Sequence, residues 1–276
     1  MAELVIGFSS AHAPMMSADP GSAPPDQADR FFGALASVRD AVVASRAQSL
    51  VMVSGEHFTN FFLDNLPQVA VGLGENHLGP VEKWLGIDEV RVPGDPGLAG
   101  AILSGTVERG FQPALSHRLV LDHGFMTVYD RISPDTTCPV VPIVLNCTTP
   151  PLMTLRQSYD LGVVLGESIR AYDGLERVAL CGAGGLSHFV GEPRVGDIDE
   201  EFDRWFLRML EDGCPDELLD IPNDELLVAG NGTGEVRAWV AVAGAMAGSR
   251  TTTLSYEPVL EWINGMGVVL HEPVGS

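Results

Sequence analysis

The stretch RVALCGAGGLSH, residues 177–188, decides how the rest of the chain is read. A short apolar run leaves Arg177, passes into glycines at 182, 184 and 185, and ends on Ser187 and His188. Apolar runs of this length bounded by turn residues mark buried strands. Glycine lets a chain turn, or lets another group approach the backbone, where a Cβ would clash. Taken alone, the plain reading is a tight turn with an exposed histidine; the flanking sequence changes that reading.

Similar runs recur on both sides. ELVIGFSS (3–10), SLVMVSG (49–55), PQVAVGLG (67–74) and VVPIVLN (140–146) read as strands, and TTTLSYEPV (251–259) and GMGVVLHE (265–272) close the chain as two more. Between them lie helical periods. In 26–47, apolar Phe31, Leu35, Val38 and Val42 recur at spacings of three and four, with Asp26 as the expected N-cap. Residues 95–110 form a helix stopped by Gly110, and 154–172 form another. Segment 197–213 sets Phe202, Phe206, Met209 and Leu210 on one face, and 234–246 is a last, strongly apolar helix. The alternation predicts an α/β fold, one domain over residues 1–276 with a central mixed β-sheet flanked by helices; a metal site at its strand ends is expected from the histidines described below. The Pro-rich stretch 20–25 reads as a loop, with no internal repeat or low-complexity linker elsewhere.

Composition narrows the partners. The chain is 45% apolar with a net charge of −21, and its 16 basic side chains include one lysine, Lys83. No basic run exists to track a nucleic acid or an anionic membrane. No signal peptide is evident and the apolar stretch 239–248 is too short to span a bilayer, so a cytoplasmic protein is expected. Cys138, Cys147, Cys181 and Cys214 form no C-x-x-C pair. An anionic substrate would need a local Arg, Lys or metal to enter so acidic a protein.

In open α/β sheets ligands bind beyond the carboxyl ends of strands. Three of the strands end within a few residues of a histidine: His12, His57 and His188. His123 follows Asp122 in LDHGF, and the chain holds only seven histidines. Each has an ordinary explanation alone: a capped turn, a surface pair with Glu56, a helix-terminal imidazole. Their joint occurrence points to one crevice. His77, His117 and His271 have no convergent neighbours and are read as structural. Two histidines and a carboxylate form the facial triad of non-haem Fe(II) oxygenases. Among the acids Glu235 stands out, in NGTGEVRAW, although a glutamate in the first turn of a helix is also favoured by the helix dipole.

Five motifs occur in order: SSAHAP (9–14), SGEHFTNFF (54–62), LDHGF (121–125), GGLSH (184–188) and NGTGEVRAW (231–239). Together they resemble the class III extradiol ring-cleaving dioxygenases, from the first strand to about residue 272. The resemblance implies Fe(II) held by His12, His57 and Glu235, with His188 as catalytic acid/base and His123 as a second active-site histidine. It implies extradiol cleavage of a catechol with O2 and insertion of both oxygen atoms. The substrate class by analogy is a carboxylate-bearing catechol such as protocatechuate, gallate or dihydroxyphenylpropionate, with aminophenol cleavage as a variant. Arg156, Arg194 and Arg250 are the cations available to such a carboxylate. A homodimer or higher homo-oligomer is expected. A small lid subunit, or segments 15–27 and 75–95, would cover the site. Glu56 departs from the family pattern, where an aspartate is expected before the second ligand, and a longer acid there would alter the orientation of His57. The rival readings are a metal-dependent hydrolase and a non-catalytic binding protein on the same fold.

Overall fold

A computed structural model describes residues 1–274. In chain order its elements begin with β1 (Glu3–Ser10), the short α1 (Met15–Ala18), α2 (Pro25–Ser45), β2 (Ser49–Gly55) and β3 (Val69–Gly72). A small hairpin follows, β4 (Asn76–Gly79) and β5 (Val90–Pro93), then α3 (Pro96–Glu108), β6 (Ala114–Ser116) and α4 (His123–Ile132). Next come β7 (Val140–Leu145), α5 (Leu155–Ala171), β8 (Arg177–Ala183), α6 (Glu200–Glu211), and the single turns α7 (Asp216–Leu219) and α8 (Asn223–Leu226). The chain closes with α9 (Val236–Ala245), β9 (Arg250–Val259) and β10 (Asn264–Glu272).

Eight strands form one mixed sheet in the order β6-β3-β7-β2-β8-β1-β10-β9. Its centre, β7-β2-β8-β1, is parallel, and β10 and β9 extend it antiparallel. Burial on both faces explains the unbroken apolar runs of the central strands. Alternate side chains enter separate cores. Val51 and Val53 join Val178 and Leu180 against α5, α9 and α3, whereas Leu50 and Met52 join Ala179 and Cys181 against α2 and α4. Among the described residues, no helix is long and apolar enough to cross a membrane.

The helix boundaries show which local signals prevailed. Thr154 caps α5 with a complete capping box to Gln157, and Gly110 follows α3 with φ of +90°. Asp26 is not the N-cap of α2. Pro24 occupies that position, Pro25 supplies the fixed φ of the first turn, and Asp26 pairs with Arg30 one turn on. The hairpin β4–β5 and strand β6 have no counterpart in the periodicity, being only three or four residues long.

Candidate active site

The parallel strands deliver their carboxyl ends to one edge of the sheet, so residues just beyond them meet. His12 follows β1, His57 follows β2, and the segment 184–188 follows β8. These three strands are neighbours. His123 opens α4, whose N-cap Asp122 accepts a hydrogen bond from the Gly124 amide. Glu235 ends a tight turn, Asn231–Glu235, that leads into α9. All five candidate residues line one cavity of about 510 Å³.

Glu235 is the hub. Its Oε2 lies 3.0 Å from His12 Nε2 and its Oε1 lies 3.0 Å from His57 Nε2. The Gly185 amide donates to the same carboxylate. On its far side, His57 Nδ1 lies 3.0 Å from Asp122 Oδ2. His123 sits against His57 with ring centroids 4.2 Å apart, and its Nδ1 donates to Glu82 Oε1 at 2.7 Å. The ring nitrogens of His12, His57 and His123 also lie within 4.8 Å of one another, so a second three-residue set competes with the carboxylate-containing one.

Charge follows this geometry. Burial opposes ionisation of His57, but Asp122 and Glu235 on either side outweigh it and hold its pKa well above 6.5. His12 is lowered, because burial outweighs its single carboxylate partner. Burial would raise Glu235 and Asp122, yet the imidazoles keep Glu235 well below 4.5 and Asp122 at about 2. Both carboxylates are therefore anionic at neutral pH and buried, a combination found where a cation is held.

The glycines around residue 188 now have a use. A Cβ on Gly185 would lie 2.4 Å from His188 Cε1, and one on Gly232 would lie 2.0 Å from His188 Nε2. The space is taken by the His188 ring, which passes between two backbones. His188 Nδ1 donates to the Leu186 carbonyl at 3.0 Å, which leaves Nε2 as the proton-accepting nitrogen. The loop is anchored from behind. Fully buried Asp203 accepts from the Ser187 amide and hydroxyl, each at 2.8 Å, and from the Tyr256 hydroxyl at 2.7 Å. Trp239 Nε1 donates to the Gly184 carbonyl at 3.1 Å.

Other expectations change. Glu56 does not orient His57; its Oε1 accepts from the Thr59 and Asn60 amides, and Asp122 takes the orienting position. Arg156, Arg194 and Arg250 lie outside the cavity wall, paired with Asp216 and Asp220, with Asp197, and with Glu272 respectively. Segment 75–95 does approach the site, through Glu82. Sequence reasoning missed Thr148 and Thr149 beyond β7, Trp262 and Ile263 between β9 and β10, and Asn264 at the start of β10. The strand-end rule, applied to VVPIVLN as it was to the others, finds the two threonines.

The donor set suits a divalent metal. Two imidazole nitrogens and a carboxylate converge within hydrogen-bonding distance, and ligand bonds of about 2.0–2.2 Å fit such a convergence after modest spreading. Asp122 supplies the carboxylate that commonly fixes the tautomer of a ligating histidine.

The profile of the family described as the catalytic LigB subunit of aromatic ring-opening dioxygenase matches residues 7–267. A 2,3-dihydroxyphenylpropionate/2,3-dihydroxicinnamic acid 1,2-dioxygenase of Klebsiella pneumoniae (strain 342) is 26% identical over 93% of this chain and 95% of its own. The protein of the same name from Paraburkholderia xenovorans (strain LB400) is 28% identical, covering 87% and 90%. The crystal structure of the uncharacterized protein JW3007 from Escherichia coli K12 superposes with a TM-score of 0.63 at 16% identity, covering 96% of this chain and 99% of that one. It shares the fold.

Proposed function

The chain belongs to the LigB family of aromatic ring-opening dioxygenases, and we propose that it cleaves catechols in the extradiol sense with Fe(II) held by His12, His57 and Glu235. The observation that carries this reading is the Glu235 carboxylate, which meets the Nε2 atoms of both histidines while His123 and His188 face the same cavity. When bound, Fe(II) supplies Lewis acidity that favours the catecholate and open positions for substrate and O2.

The side chains do the rest. Asp122 holds the proton on His57 Nδ1, so the Nε2 lone pair is free to ligate. Glu82 holds His123 through Nδ1 and the backbone amide, leaving Nε2 to take or return a substrate proton. His188 Nε2 serves as the second proton-handling atom, and its ring is confined between Gly185 and Gly232. With two neutral imidazoles and one carboxylate as ligands, the site keeps a net positive charge at the metal, which favours a catecholate over the neutral phenol.

Oxygen uptake tests the reading. Protein loaded with Fe(II) without air, then given O2 with a panel of catechols and 2-aminophenol, should consume O2 and form a yellow ring-opened product. Zinc-loaded protein should do neither. Iron-containing protein that consumes no O2 with any of them contradicts the proposal.

A further inference from the structure

The cavity walls above the histidines carry a specificity signal. Ala13, Pro14, Phe58, Val190, Trp262 and Ile263 supply apolar surface, and Thr148, Thr149, Asn231 and Asn264 supply neutral polar groups. Asn264 lines the wall with its Oδ1 buried and without a hydrogen-bond partner. The ionisable groups cluster at the floor. There Glu235 is the one carboxylate in the cavity lining, while Asp122 and Glu82 lie behind His57 and His123, to which they are hydrogen-bonded. Cations are committed elsewhere: Arg194 pairs with Asp197 and stacks on Phe189 at 4.0 Å, and Lys83 is exposed outside the wall. The cavity of about 510 Å³ is also large for a bare catechol, since an apolar cavity of about 150 Å³ holds benzene.

We infer that this site, read as the catechol site proposed above, selects a catechol whose ring substituent is uncharged and largely apolar, up to roughly the size of a second ring. A carboxylate on the substituent would meet apolar and neutral polar walls that hold no lysine or arginine, and that desolvation goes uncompensated. The expected substrate therefore differs from the acid that names the relatives.

The test compares 2,3-dihydroxyphenylpropionate with its methyl ester, which has nearly the same shape and no charge. Two readouts are taken on the Fe(II)-loaded enzyme: kcat/KM from oxygen uptake, and anaerobic affinity from quenching of tryptophan emission, since Trp262 lines the wall. The ester should exceed the acid by about tenfold or more in both, the scale of leaving a charge unpaired in a pocket. Arg194→Gln and Lys83→Gln should leave that ratio unchanged. Val190→Arg, at an exposed wall position, should shift the ratio toward the acid. An acid that matches or exceeds the ester overturns the inference, as does a selective loss of the acid in Arg194→Gln or Lys83→Gln. Tighter binding of the ester without O2 uptake would uphold the selectivity and count against ring cleavage instead.

Discussion

Asp122 Oδ2 lies 3.0 Å from His57 Nδ1, while the next residue, His123, turns its ring into the same cavity. On the proposed reading, one helix start supplies both the residue that orients a metal ligand and a proton-handling imidazole. Asp122 also caps that helix through Oδ1, so the two roles can be separated by substitution. Asp122→Asn keeps an oxygen for the Gly124 amide and presents N–H donors to His57, which favours the tautomer unable to ligate through Nε2. Metal affinity should fall about 10- to 100-fold with little change in Tm. Metal titration followed by thermal melting checks this; unchanged affinity would remove Asp122 from the metal site's support.

Glu82 reaches His123 from the hairpin segment, 41 residues away in sequence. Glu82→Ala should lower kcat by roughly 10- to 100-fold through misplacement of His123, with KM and iron content largely kept. Glu82→Gln retains an acceptor for Nδ1–H and should recover much of the loss. Equal damage in both variants would assign Glu82 a different role.

Gly232 admits His188. A methyl group there would lie 2.0 Å from Nε2, so Gly232→Ala must displace the ring although the backbone there is not in the left-handed region. Turnover should fall by roughly 100-fold or more, the scale of a lost acid/base. Iron binding should persist. Normal turnover in this variant would show that His188 does not act from its present position.

Asp203 gives a pH prediction. Burial, opposed by hydrogen bonds from Tyr256 and Ser187, pushes its carboxyl up to about 6 from an ordinary 3.8. The folded state therefore binds more protons than the unfolded chain between these values. The associated stability is present below about 4 and is lost as pH rises through about 6. Asp203→Asn stays neutral throughout. Stability of the variant relative to wild type should improve by about 2 kcal/mol between pH 4 and pH 7, read from denaturation at several pH values. Parallel stability curves would refute it.

How much of this was legible depended on how each residue is carried. His12, His57 and His188 lie just past three parallel strands, and a buried parallel strand is an apolar run that can be seen in one dimension. Once those strands are recognised, the edge where ligands gather follows. Glu82 carries no such mark: it sits in an irregular excursion and meets His123 only through tertiary packing. Trp262 and Asn264 reach the site because β10 runs antiparallel to β1, which brings the β9–β10 turn to the edge where β1 ends. Pairing direction is not written in periodicity. Asp122 was visible within LDHGF, but its partner could be known only after β2 and α4 were placed.

The most direct test of the account is iron stoichiometry, measured with O2 uptake in single-alanine variants of the five residues. The structure offers two overlapping sets, His12 and His57 with either Glu235 or His123. The account predicts one Fe(II) per chain in the wild type and its loss in His12→Ala, His57→Ala and Glu235→Ala. His123→Ala and His188→Ala should keep the iron and lose turnover. Iron retained in Glu235→Ala and lost in His123→Ala would contradict it and move the metal to the all-histidine set.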